Sequence, residues 1–270
     1  MRERCPPSFV RSRCCANPAG CPSHEGLSML CPEVLPDEFA PGYLGRVARF
    51  NGISSKSDAT RYLKAMVGVP GESLHTFPLT CLLARVSGLT TEQFCVSHTL
   101  LPLQRSIADT WDDLPHGSRE HTNILWTQPL RQLRVGAYLC AECIREDVQF
   151  RGLSYWRRSH QVPGRYWCPK HGGPLRTCAS AQALFVQPKA ALAESQAVDG
   201  SWVCSLRRTA DVQRYLDVCD DFLDSRRPIG TRYASRAIRT RSEQMGFHYG
   251  KGAQKGKLLS EVLIEKFDGT

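Results

Sequence analysis

The sequence predicts a mainly α-helical protein in which a small cysteine- and histidine-rich domain lies between two helical regions. Apolar residues recur at helical spacing in the first half of the chain, two short pairs of metal-ligand residues follow, and helical spacing returns near the C-terminus. The predicted segments are a disordered leader (1–28), a helical N-terminal region with a helix-turn-helix-like unit (29–135), a zinc-finger-like domain (136–178) and a basic helical C-terminal region (179–270).

The composition is that of a basic protein with many cysteines. The formal net charge of +9 and isoelectric point near 9.0 favour a polyanionic partner, most commonly nucleic acid. Since no run of roughly 18 apolar residues and no signal-peptide pattern is present, we expect a cytoplasmic protein without a membrane contact. In that reducing compartment, metal ligation and burial account for the 13 cysteines better than disulfides do.

The first 28 residues contain four cysteines among Pro, Ser and Arg and show no apolar periodicity. We interpret them as a disordered leader, because Met29 directly precedes the first well-patterned segment. The alternative is a second zinc site with the candidate ligands Cys14 or Cys15, Cys21, His24 and Cys31. Their spacing matches no standard ligand pattern.

Four helices are predicted in the N-terminal region. The first two end at Asn51-Gly52 and at Gly68, and the third covers residues 78–87. Thr90 is expected to cap the fourth helix, with Gln93 at the capping-box position.

The third and fourth helices, in LTCLLARVSGLTTEQFCVSHTL, have the outline of a helix-turn-helix with Gly88 in the turn. A DNA-reading unit is one interpretation. The other is a pair that serves packing alone, since the second helix carries Glu92 and no Arg or Lys to reach bases or phosphates.

The remaining segments are less regular. Residues 102–135 are typical of a connector, 179–200 are predicted as a helix or an extended linker, and 209–223 return to helical spacing. From residue 226 to residue 257 there are nine Arg or Lys and one acid, Glu243, which gives a net charge of +8.

This basic segment has two interpretations. Its arginines Arg232, Arg236, Arg239 and Arg241 are predicted to share part of a helical face, followed by a flexible basic loop over 250–256. One interpretation is a DNA-binding surface in which Arg236, Arg239 and Arg241 contact phosphates. The other is a solvated charged face.

The most specific motif pairs Cys140-x2-Cys143 with Cys168-x2-His171 across 24 intervening residues. Two such short chelating segments suit one tetrahedral ion. Thiolate and imidazole ligands favour zinc over hard cations, and four protein ligands leave no open position for a water. We therefore predict a structural Zn²⁺ site.

Three alternative roles for these cysteines have less support in the sequence. A redox pair of Cys140 and Cys143 alone lacks a thioredoxin-like context and leaves the second pair without a role. A zinc deaminase needs His-x-Glu before Pro-Cys-x-x-Cys, and here Leu139 precedes Cys140. Burial of unrelated cysteines does not account for two matched pairs.

Between the two ligand pairs, aromatic residues are interleaved with basic residues. They are Tyr155, Trp156, Arg157, Arg158, His160, Arg165, Tyr166 and Trp167. In one interpretation the rings stack on bases while Arg157 and Arg158 contact DNA phosphates. In the other, the aromatic rings pack around a small metal core and the arginines cover them. His160 is either a spare ligand or a packing histidine.

The string YLCAECIREDVQFRGLSYWRRSHQVPGRYWCPKHGGPL closely resembles the signature of the TniQ family of bacterial transposition proteins. That signature has a Cys-x-x-Cys, an acidic pair, a Tyr-Trp-Arg-Arg-x-His-Gln-x-Pro-Gly core and Cys-Pro-x-His-Gly. LPDEFAPGYLGRVARFNG resembles the start of the family, and LLARVSGLTTEQFCVSHTLLP resembles its helix-turn-helix region. The resemblance covers residues 33–177 and implies the zinc ligands Cys140, Cys143, Cys168 and His171.

The resemblance implies a non-catalytic target-selection protein of a bacterial transposon, associated with the nucleoid. Family members, which are related to TnsD, bind an attachment site or link a CRISPR effector complex to an AAA+ ATPase regulator. The expected partners are that ATPase, DNA, a CRISPR effector complex and a second copy in a homodimer. The alternative is a stand-alone, sequence-specific, zinc-containing DNA-binding regulator, and a zinc hydrolase is a weaker third. Because KGKLLSEVLIEKFDGT resembles the beginning of a longer motif, we expect a short or truncated member.

Overall fold

The structure, a computed structural model, describes residues 30–67, 77–108, 114–120, 125–126, 130–180 and 182–246. The predicted mainly α-helical fold class is confirmed for this part of the chain. The helices are α1 (Ala40–Phe50), α2 (Lys56–Met66), α3 (Leu79–Ser87), α4 (Thr91–His98), α5 (Leu101–Gln104), α6 (Ala141–Arg151), α7 (Pro188–Leu192), α8 (Gly200–Arg208), α9 (Ala210–Asp224) and α10 (Thr231–Gln244). The strands are β1 (Ile107–Ala108), β2 (Ala137–Leu139), β3 (Arg176–Cys178), β4 (Gln196–Ala197) and β5 (Ile229–Gly230).

Four predictions fall outside the described residues. They are the disordered leader over 1–28, most ligands of the alternative second zinc site, the end of the second helix at Gly68, and the flexible basic loop over 250–256. Of the ligands proposed for that second site, only Cys31 lies in the described part of the chain, where its Sγ lies 3.7 Å from Met66 Sδ.

The end of α1 and the start of α2 follow from local sequence chemistry. Asn51 directly follows α1, and its side-chain amide donates to the Val47 carbonyl at 2.7 Å. The next residue, Gly52, has a left-handed φ of 68°. Ser55 begins α2 by accepting a hydrogen bond from the Asp58 N–H at 3.0 Å. Tyr43, Leu44 and Val47 of α1 and Ala59 and Leu63 of α2 are buried in the same hydrophobic cluster, so the two helices pack as amphipathic helices around one core.

Helices α3 and α4 follow one another and are joined through Gly88, and a helix-turn-helix unit at this place stays a prediction. Gly88 ends α3 with a left-handed φ of 74°. The Thr90 hydroxyl accepts from the Gln93 N–H at 3.1 Å, and the Gln93 side chain accepts from the Thr90 N–H at 3.0 Å, which confirms the capping box. Phe94 and Cys95 face the interior while Glu92 is exposed, so the geometry establishes packing, and DNA reading stays a prediction.

The sheets are small and depend on pairings between distant segments. Strands β2, β3 and β4 form an antiparallel sheet in which Leu139 lies opposite Arg176. Strands β1 and β5 pair in parallel through Ile107 and Ile229. Strand β2 matters most for the site described below, because Cys140 follows it directly.

The C-terminal region is helical, as predicted. Helix α9 covers nearly the whole segment expected at 209–223, and α10 carries Arg232, Arg236, Arg239 and Arg241 of the basic segment. The segment 179–200, predicted as a helix or an extended linker, contains a 3₁₀ turn, the short helix α7 and strand β4. The described part of the connector over 102–135 contains only short elements.

One hydrophobic core joins the three predicted regions. It contains Phe39 and Leu100 from the N-terminal region, Trp156 from the metal-binding region, and Val203 and Leu216 from the C-terminal region. The described parts of the segments 29–135, 136–178 and 179–270 are therefore packed together through shared apolar contacts.

Polar contacts of Asp37 and Glu38 also connect the N-terminal region to the segment between the ligand pairs. The Asp37 carbonyl accepts from the Arg158 N–H at 2.7 Å, and its carboxylate accepts from the Ser159 hydroxyl at 2.6 Å. Glu38 forms a buried ion pair with Arg46 at 2.7 Å. Two adjacent carboxylates thus fix both α1 and the segment between the ligand pairs.

In the described segments, no helix has the length and apolar character needed to cross a membrane.

Candidate metal centre

Two segments bring the predicted ligands together. Cys140 follows β2 and is the N-cap residue of α6, so Cys143 lies in the first turn of that helix. In the second segment, the Cys168 N–H donates to the Gly173 carbonyl at 2.9 Å and the Gly172 N–H donates to the Cys168 carbonyl at 2.8 Å. Gly172 has a φ of 69°, which a glycine adopts without steric cost. Local backbone geometry therefore fixes each pair.

The four ligand atoms all lie within 4.8 Å of one another, and four of the six distances between them are close to the edges of a tetrahedron around one ion. Cys143 Sγ lies 3.6 Å from Cys168 Sγ and 3.4 Å from His171 Nδ1. His171 Nδ1 lies 3.6 Å from the sulfur atoms of both Cys140 and Cys168. A tetrahedral ion with bonds of about 2.3 Å to sulfur and about 2.0 Å to nitrogen needs edges of roughly 3.5–3.8 Å. The geometry therefore fits one tetrahedral metal ion.

The centre is enclosed by protein. All three cysteines are buried and His171 is partly buried, and Leu175 and Tyr138 pack in one apolar cluster with the cysteines. Hydrogen bonds from the Cys140 and Cys143 thiols hold the pKa of the Cys168 thiol well below its ordinary value. A thiolate at Cys168 is the form that binds a divalent cation.

Glu146 completes the surroundings of the histidine and was not identified from the sequence. Its Oε1 lies 3.0 Å from His171 Nε2, and its Oε2 accepts from the Lys170 ammonium group. A signal for it was present, because Glu146 follows Cys143 by three residues and therefore lies on the same side of α6.

His160 lies beside the cluster and is a packing histidine. Its Nε2 is 4.0 Å from Cys143 Sγ, and the four-ligand group that could hold an ion does not include it. Burial lowers the pKa of His160 to about 4, so the ring is neutral at physiological pH.

Arg157 is engaged inside the protein. Its guanidinium forms an ion pair with Asp147 at 2.7 Å and lies over the Tyr155 ring, 4.5 Å from the centroid. Only 17 % of its side chain is exposed. These contacts agree with the packing interpretation, in which the arginines cover the aromatic rings. The ion pair with Asp147 also connects α6 to the segment between the ligand pairs.

Arg158 is likewise engaged. It forms an ion pair with Asp37 at 3.5 Å and donates to the Val96 carbonyl, and 11 % of its side chain is exposed. Arg165 pairs with Asp220 at 2.6 Å. DNA contacts by Arg157 and Arg158 stay a prediction, and in this structure both guanidinium groups face protein partners.

The C-terminal arginines are exposed on α10. Arg232, Arg236 and Arg239 lie along one stripe of the helix. Arg241 differs from the prediction of a shared face, because two residues at about 100° each place it on nearly the opposite side from Arg239. Phosphate contacts by Arg236, Arg239 and Arg241 stay a prediction.

The fold and this site define a mainly helical protein built around a closed metal-binding knuckle. The TniQ family model matches residues 29–175, which is more than half of the 270-residue chain and includes all four ligands. The chain belongs to the TniQ family, a family of non-catalytic proteins associated with transposition. No curated protein matches the chain.

Proposed function

We propose that this protein is a non-catalytic adapter in target-site selection, which links target DNA or a targeting complex to the AAA+ ATPase regulator of a bacterial transposon. The observation that carries the proposal is the closed Cys3His set within the region matched by the TniQ family. Four protein ligands fill a tetrahedral coordination sphere, which leaves no position for a catalytic water. The centre therefore serves folding and recognition.

The ion in this proposal is structural Zn²⁺. Three thiolates and one imidazole suit zinc, whereas Mg²⁺ and Ca²⁺ prefer oxygen ligands. When bound, the ion would supply a cross-link between the turn of Cys140 and Cys143 and the turn of Cys168 and His171. The residues between these turns contact the N-terminal helices, so the cross-link would stabilise a surface made by both regions.

In this proposal the partners contact different parts of the protein. The metal-binding region and the N-terminal helices would contact the AAA+ ATPase, and the basic segment that includes α10 would hold DNA or a CRISPR effector complex. Exposed arginines on α10 support the second assignment. Homodimer formation and association with the nucleoid belong to the same proposal.

The surface of α4 favours an adapter over a stand-alone DNA-binding regulator. A recognition helix contacts bases and phosphates through Arg, Lys, Asn or Gln. Here Phe94 and Cys95 are buried and Glu92 is exposed. The helix contains no Arg, Lys or Asn, and its Gln93 side chain accepts from the Thr90 N–H in the capping box.

A pull-down with the purified ATPase encoded beside this protein, with and without DNA, tests the proposal. We expect the wild type and Cys204→Ser to bind, because Cys204 is exposed and outside the metal cluster. Cys168→Ser is expected to lose binding. Lack of association of the wild type under both conditions would contradict the adapter role. Tight binding to one palindromic DNA site without the ATPase would favour the regulator instead.

A further inference from the structure

We infer that Glu146 is a positioning residue of the metal centre, which holds the His171 ring so that Nδ1 faces the ion. The inference rests on the metal site of the proposed function and adds a residue to it. Glu146 is not itself a ligand, since the group that could hold an ion consists of three cysteines and His171.

The two nitrogen atoms of His171 have separate environments. Nδ1 lies between 3.4 and 3.6 Å from each of the three sulfur atoms. Nε2 points away from them and lies 3.0 Å from Glu146 Oε1. A proton on Nε2 would be donated to the carboxylate, and the Nδ1 lone pair would be directed at the ion. Such a carboxylate partner fixes the tautomer and raises the basicity of the ligating nitrogen.

Glu146 is itself held from two sides. Helix α6 carries both Cys143 and Glu146, and the same carboxylate accepts from Lys170, which directly precedes His171. The carboxylate therefore connects the helix that bears one ligand pair to the turn that bears the other. This connection exists through protein atoms alone and would orient His171 before an ion binds.

The neighbouring acid cannot replace it. Asp147 is buried and paired with Arg157 at 2.7 Å, on a part of α6 that faces the segment between the ligand pairs. The two adjacent acids thus have different tasks. Asp147 ties α6 to that segment, and Glu146 orients the histidine.

The test measures zinc affinity by competition with a chromogenic chelator. We expect Glu146→Ala to bind zinc about 10- to 100-fold more weakly than the wild type. Glu146→Gln keeps an acceptor without the charge, so its loss of affinity should be smaller. Glu142→Ala is the matched control, because Glu142 is on the same helix and forms an exposed pair with Arg145. It should bind zinc as the wild type does.

A spectroscopic measurement separates positioning from general destabilisation. Long-range ¹H–¹⁵N spectra of zinc-loaded protein should show His171 bound through Nδ1, with an Nε2 proton that exchanges slowly with water. In Glu146→Gln that proton should exchange faster, while circular dichroism shows an unchanged helix content.

The possible failures are distinguishable. Equal zinc affinity and equal proton exchange in the wild type, Glu146→Gln and Glu146→Ala would overturn the role of Glu146 and leave the zinc site intact. A wild type that binds no zinc would overturn the zinc centre of the proposed function as well.

Discussion

The Phe39 N–H donates a hydrogen bond to the Trp156 carbonyl oxygen at 2.7 Å, and this bond joins the start of α1 to the segment between the two ligand pairs. Both side chains are fully buried in the shared core. The Trp156 indole also donates to the Val186 carbonyl at 2.8 Å, so one residue contacts all three regions. A change that disturbs the packing of Trp156 should therefore destabilise the N-terminal helices as well as the metal centre.

A substitution at Gly42 tests the packing of α1 against Trp156. A methyl group at Gly42 would lie 2.8 Å from Trp156 Cβ and 2.9 Å from Cδ1. We expect Gly42→Ala to destabilise the protein, because overpacking costs about 1–3 kcal/mol and the gain in helix propensity is about 1 kcal/mol. The free energy of unfolding from urea titrations measures the change. Gly200→Ala is the control, since its new methyl group would meet only Pro174 at an ordinary 3.7 Å.

Metal removal tests the role of the centre in folding. Three thiols and an imidazole packed within 4.8 Å of one another gain stability when an ion replaces their protons. A strong chelator should therefore lower the melting temperature, and Cys168→Ser should have the low value from the start. Cys219→Ser should respond to the chelator like the wild type, because Cys219 is buried outside the cluster. Identical melting curves with and without chelator would contradict a structural ion.

The helices and their ends were predictable because their signals are local. Thr90 and Gln93 are three residues apart, and their capping box forms within one turn. The strands were not predicted, since each has only two or three residues and pairs with a distant segment, as Ile107 does with Ile229. The common core around Trp156 was not predictable either, because apolar periodicity shows which face of a helix is buried but does not show which other element packs against that face.

At the site, residue type and spacing identified the four ligands that the structure brings together. The same reasoning could not decide the role of Arg157, since its partner Asp147 is ten residues away and only the fold shows their contact. Glu146 was missed because an acidic residue on a helix is usually solvated. Its contact with His171 spans 25 residues and arises from tertiary structure.

The basic helix α10 gives a salt-dependence prediction. If Arg236 and Arg239 contact phosphates, changing both to Ala should flatten the dependence of DNA affinity on salt by about two units of logarithmic slope. Adding Arg241→Ala should bring the change to at most about three units, with a smaller step because Arg241 lies on nearly the opposite side. Fluorescence anisotropy with duplex DNA at several salt concentrations measures this slope.

The control for this helix is a variant with the same loss of charge elsewhere. Arg61, Arg85 and Arg145 are exposed on other helices, and their change to Ala should leave the slope nearly unaltered. If the α10 and control variants both keep the wild-type slope, the arginines of α10 form a solvated face.

His116 gives a pH prediction. Its side chain is completely buried. Burial and the nearby charge of Arg105 lower the pKa of His116 from 6.5 to about 4, against a weaker opposite effect of the Arg227 backbone. The folded state therefore favours the neutral ring, and stability present above pH 6.5 is lost as the pH falls toward about 4.

A shift of this size corresponds to roughly 3 kcal/mol between the two ends of that range. Urea titrations of the wild type and His116→Phe measure it, because Phe fills a similar volume and does not titrate. The difference in unfolding free energy between the two proteins should change by up to about 1.4 kcal/mol per pH unit within the range and be constant above it. Cysteines and His171 titrate in both proteins, so their contribution cancels in the difference. A pH-independent difference would show that His116 is protonated as readily in the folded as in the unfolded state.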